Sequence, residues 1–100
     1  MDKFNVSLVC IAAVEEKLLD MVLARFGDHA FSSSPTFGHG VASERLSAIE
    51  QVLGRSRSAH IQILMTQEEL AILQQALHEE FAGSGIRYWA APVVIEGVLP

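Results

Sequence analysis

RSAHIQILM, residues 57–65, alternates without a break and runs straight into Thr66-Gln67-Glu68-Glu69. Ala59, Ile61, Ile63 and Met65 fall on one face, and Ser58, His60, Gln62 and Leu64 on the other. That period of two is a strand with one face toward helices. Thr66 followed three residues later by Glu69 is a capping box, so a helix starts where the strand stops. Its apolar stripe is Leu70, Leu73, Leu77 and Phe81, with Ala76 beside it, and Gly83 and Gly85 end it. Residues 86–95, IRYWAAPVVI, read as a last strand. Pro92 cannot donate to a ladder, which sends that strand to an edge. The following EGVLP is short and apolar, suited to capping a neighbour.

The chain before residue 57 repeats the pattern. Residues 4–12, FNVSLVCIA, are β-rich and nearly continuously apolar from Leu8, as in a central strand. Residues 14–26 place Val14, Leu18, Leu19, Val22, Leu23 and Phe26 on one stripe, with Glu15 and Glu16 early and Arg25 late, as the helix dipole prefers. Gly27 is expected to supply a left-handed stop, and Asp28-His29 a turn. Residues 30–37, AFSSSPTF, make a second strand whose Pro35 again implies an edge.

The order is therefore β-α-β-β-α-β. This is the α+β, ferredoxin-like arrangement: a four-stranded antiparallel sheet with two helices on one face. A sheet order of 4-1-3-2 puts both proline-bearing strands at the edges. The uncovered face is expected to carry Val9 or Leu8, Leu64, Trp89 or Tyr88, and valines. That is too apolar to stay wet, so a second copy of the chain should cover it.

Composition agrees. Half of the 100 residues are apolar and 19% are charged, rich for one small domain spanning residues 1–100. A net charge of −5 argues against bulk attraction to nucleic acid or anionic membrane. No apolar run approaches the roughly 20 residues of a membrane span, and the first ten residues do not read as a signal peptide. The lone Cys10 has no disulfide partner, and a cytoplasmic protein is expected.

The functional candidates concentrate in GHGVASERLSAIEQVLGRSR, residues 38–57. The segment between the second and third strands, residues 38–56, is far longer than the roughly two to five residues of a hairpin loop. His39 lies between Gly38 and Gly40, where the backbone can approach a ligand closely. It reads either as a metal ligand or as a solvated turn residue. His60 could join a metal site shared by several copies, or act as a hydrogen-bonded interface histidine. Leu46, Ile49, Val52 and Leu53 form a short amphipathic run that closes on Gly54, Arg55 and Arg57. The arginines suit an oxyanion, and ion pairs with Glu44 or Glu50 are the plainer alternative. There is no Cys-x-x-Cys, His-x-x-x-His or matched acid/base pair, so an enzyme ranks last.

Gly38-His39-Gly40, Leu46-Ser47, Glu50-Gln51-Val52 and Gly54-Arg55, with HIQI and RYWAAPVVIEGVL, resemble a small PII-like family often encoded beside heavy-metal efflux pumps. More distantly, the chain resembles PII signalling proteins and the CutA divalent-cation-tolerance proteins. The resemblance implies a PII-like homotrimer with sheets facing the three-fold axis. It also implies a T-loop-like segment, including Gly38, His39, Gly40, Glu50 and Gln51, that contacts a protein partner such as an efflux system. A small ligand, either an adenine nucleotide or a heavy-metal ion, would control it. The glycine-rich phosphate loop of PII, with its Asp and Lys, is reduced here to Gly83-Ser84-Gly85-Ile86-Arg87. Backbone N–H groups there, with Gly54, Arg55, Arg57 and Arg87, are the candidate anion-binding set. The alternative implied by CutA is direct divalent-metal binding through His39 and His60.

Overall fold

The structure, a computed structural model, describes residues 3–39, 48–49 and 55–100. Its elements are β1 (Lys3–Ile11), α1 (Ala12–Phe26), β2 (Phe31–His39), β3 (Arg55–Thr66), α2 (Gln67–Glu80) and β4 (Arg87–Val93). The sheet is antiparallel with the order β2-β3-β1-β4, as expected. Pro35 and Pro92 lie on its two edge strands, where a missing N–H costs no ladder bond.

Register decides which side chains share a face. Leu8 lies opposite both Ile61 and Tyr88, and Val9 opposite both His60 and Arg87. The helix-covered face thus collects Val6, Leu8 and Cys10 with Ala59, Ile61, Ile63 and Met65, all buried. Leu18, Met21, Val22 and Phe26 from α1 close the core together with Leu70, Leu73, Ala76, Leu77 and Phe81. Each buried Val, Leu, Ile, Phe or Met side chain stabilises the fold by about 1.5–3 kcal/mol relative to exposure. The Thr66 capping box is complete: Glu69 N–H donates to Thr66 Oγ1 at 3.2 Å, and Thr66 N–H donates to the Glu69 carboxylate at 2.8 Å.

Several expectations are corrected. Leu23 is 55% exposed and Met21 takes its place in the core, because the buried stripe runs Leu18, Met21, Val22 and Phe26, and Leu23 lies on the flank of the broader apolar stripe that is turned away from the sheet. Gly27 is right-handed, at φ −65°, so it is not a left-handed stop. A Cβ there would collide with the carbonyl oxygen of Leu23, so close approach explains the glycine. The left-handed positions are Gly83 and Gly85, both at φ 79°.

The strands also run further than their apolar patterns suggested. β2 extends through Gly38 and His39, and β3 begins at Arg55. The uncovered face carries Val9 and Trp89, whereas Leu8 and Tyr88 belong to the helix side. It is less apolar than expected. Val9, Leu64 and Trp89 surround a strip of Ser7, Ser32, Ser34, His60 and Gln62.

Candidate functional site

The β2–β3 ladder ends on His39 opposite Arg55 and Phe37 opposite Arg57. Residues two apart share a face, so Arg55 reaches diagonally over Phe37. Its guanidinium carbon sits 4.3 Å from the Phe37 ring centroid. Stacking of this kind leaves the in-plane N–H fork available to a planar oxyanion. Among the described residues, the buried Arg55 Nε has no hydrogen-bond partner. A buried donor left unpaired costs about 1–3 kcal/mol, so it marks a place built to receive an acceptor. Behind it, Ser56 and Ser58 are buried, with their hydroxyls 3.0 Å apart.

The other half of the expected anion set stands at the same end of the sheet, at the β4 edge. Gly83-Ser84-Gly85 turns the chain from α2 into β4. The Ser84 N–H donates to the Phe81 carbonyl at 3.1 Å, and the Ile86 N–H to Ser84 Oγ at 3.3 Å. This turn and Tyr88 line a cleft of about 170 Å³. Arg87 follows, opposite Val9 on the uncovered face. β1 lies between β3 and β4, which puts two strand spacings, roughly 10 Å, between the halves. Arg55 and Arg57 also take the face of Ala59 and Ile61, toward the helices, whereas Arg87 takes the opposite face with Val9. One chain therefore sets Arg55 and Arg57 apart from Arg87. Gly40, Glu44, Glu50, Gln51 and Gly54 lie outside the described residues.

The two candidate metal histidines are also separated. His39 shares its face with Arg55 and Phe37, and His60 points to the other face, its ring 6.0 Å from that of Trp89. Among the described residues, no group of three His, Cys, Asp or Glu could hold a metal ion. Cys10 is buried, and burial, reinforced by the charge of Glu15, pushes its thiol up to about 11. It is an inert thiol rather than a soft ligand.

Sequence reasoning missed two features. Phe37 was read only as a strand former, yet it is the platform for Arg55. Aligning the β2–β3 ladder would have revealed the diagonal. His29, read as a turn residue, bridges Asp28 Oδ1 at 2.8 Å and Glu69 Oε2 at 2.5 Å. No local pattern signals a contact between residues forty positions apart. The hydrogen bond to Asp28, and then Glu69, raises the His29 pKa above its usual value.

The β-α-β-β-α-β sheet with two helices on one face is the fold of PII-like proteins. A nitrogen regulatory PII-like protein from Thiomonas intermedia K12, CPII, solved bound to ADP, AMP and bicarbonate, superposes with a TM-score of 0.73 at 10% identity, over 99% of this chain and 98% of that one. Bacillus subtilis GlnK in its ATP complex gives 0.59 at 12% identity, over 92% and 82%. The chain itself belongs to the DUF3240 family of proteins of unknown function, whose description matches residues 1–99. A DUF3240 protein from Shewanella baltica OS155 superposes with a TM-score of 0.75 at 18% identity, over 98% and 97%. No curated protein matches the chain. No helix among the described residues is long and apolar enough to cross a membrane.

Proposed function

We propose that this protein is a PII-like homotrimeric regulator, not an enzyme. An anionic ligand, an adenine nucleotide in the first instance, binds between copies at the base of the segment spanning residues 38–56. The carrying observation is the stacked Arg55 with its Nε buried and, among the described residues, unpaired. The division of the half-sites supports an intersubunit location. Arg55 and Arg57 on β3, next to the β2 edge, would be joined to Gly83, Gly85 and Arg87 at the β4 edge where the β2 edge of one copy faces the β4 edge of the next. Ligand binding then sets the conformation of the segment from Gly38 to Gly54, including Glu50 and Gln51, which engages a cytoplasmic partner. That partner is a component of a heavy-metal efflux system. Ordering of a segment by a bound anion is a general switching mode.

Calorimetric titration of ADP into wild type and Arg55→Ala tests the reading. Loss of a charge-assisted hydrogen bond to phosphate should weaken binding about 10- to 100-fold. Equal affinities remove Arg55 from the site.

His60 favours a second reading. It stands mid-face, between Ser34 and Val9 in one cross-strand row, so copies meeting on that face could present several imidazoles to one metal ion. His39, on the other face, would have to bind metal separately.

A further inference from the structure

We infer that residues 94–100 form an exchanged arm, seated on the sheet of a neighbouring copy of this chain. Past β4, Val94, Ile95, Val98 and Leu99 are 98%, 87%, 92% and 95% exposed, more so than any other large apolar side chain described. The arm is nonetheless directed. Lys3 Nζ pairs with Glu96 Oε1 at 2.7 Å where the arm leaves the sheet.

At that same end of the sheet lies an unfilled groove of about 580 Å³, lined by Asn5, Phe31, Ser32, Gln62, Leu64 and Val93, among others. Ile95 and Glu96, where the arm leaves the sheet, are among its lining residues. Val98 and Leu99 stay in solvent, so the arm does not fill its own groove. The groove offers what an extended apolar segment requires. Asn5, Ser32 and Gln62 supply donors and acceptors for its backbone, and Phe31, Leu64 and Val93 supply apolar walls.

Area selects the occupant. Each buried Val, Ile or Leu side chain removes on the order of 60–120 Å² of apolar surface from water. Four of them, with the surface they cover, give roughly 500–1,000 Å², short of the approximately 1,600 Å² of a stable interface. An isolated peptide would therefore bind weakly. A second copy adds its sheet face, with Val9 and Trp89, and each chain carries both the arm and the groove, so the contact repeats around a closed assembly.

This inference rests on the oligomer of the proposed function, and the experiment separates the two. Sedimentation equilibrium is run on the full chain and on Val98→Asp/Leu99→Asp, with far-ultraviolet circular dichroism showing that both are folded. The double variant should associate at least about 100-fold more weakly. A folded variant with the wild-type association constant overturns the arm and leaves the oligomer standing. A full chain that sediments as a single protomer overturns both. In parallel, Ser32→Cys and Leu99→Cys chains are mixed and oxidised. A disulfide joining one chain of each kind is expected, and cross-linking no faster than in the denatured mixture counts against the arm. The inert Cys10 gives little background.

Discussion

Replacing Glu69 with alanine should have a cost that depends on pH. Its carboxylate does two jobs: it accepts the Thr66 N–H at 2.8 Å and meets His29 Nε2 at 2.5 Å. The first is half of a capping box, worth about 1 kcal/mol. The second joins partly exposed groups and contributes up to about 1 kcal/mol. The hydrogen bond to Asp28, and then Glu69, raises the folded-state pKa of His29. Its contribution is therefore complete below the unfolded value and lost as pH rises through the folded value. Glu69 is shifted down, chiefly by the Thr66 N–H, so its contribution holds above the unfolded carboxylate pKa and fails as pH falls through the folded one. Between these limits, near pH 6, the substitution should cost about 2 kcal/mol, falling to about 1 kcal/mol near pH 8.5. For a domain this size, 1 kcal/mol corresponds to about 4–8 °C in Tm. Urea unfolding at both pH values, followed by circular dichroism, measures the difference. Equal costs at both pH values would refute the coupling of His29 to the α2 cap.

Thr66→Ala should cost about 1 kcal/mol with little pH dependence, because its hydroxyl accepts from backbone. Ile61→Ala, at a fully buried position in a central strand, should cost about 2–5 kcal/mol in the same unfolding assay. Gly83→Ala has open space around its Cβ and should lose only the left-handed preference, about 1–2 kcal/mol, whereas Gly27→Ala, which meets the Leu23 carbonyl, should lose more. Cys10 should resist thiol reagents in the folded protein and react fully once unfolded, since its pKa is pushed up to about 11.

The fold was legible because its signals are local. The alternation of Ala59 to Met65, the Thr66–Glu69 box and two edge prolines each act within a few residues. What escaped depended on pairing across the sheet. Whether Leu8 or Val9 faces the helices follows from register with Ile61, which a nearly continuous apolar run does not specify. Leu23 was misplaced for a related reason, since a broad apolar stripe does not say which of its flanks packs on the sheet. At the candidate site, Arg55 was visible as a charge near a long loop. Its platform, Phe37, required the β2–β3 ladder. The separation of His39 from His60 required knowing that they occupy positions of opposite parity.

The most direct measurement is hydrogen–deuterium exchange of wild type and Arg55→Ala, each with and without saturating ADP. Slower exchange across residues 38–56 on ADP addition, in wild type and not in the variant, is the predicted result. Unchanged exchange in wild type with ADP bound would contradict the claim that an anion at Arg55 sets the state of this segment.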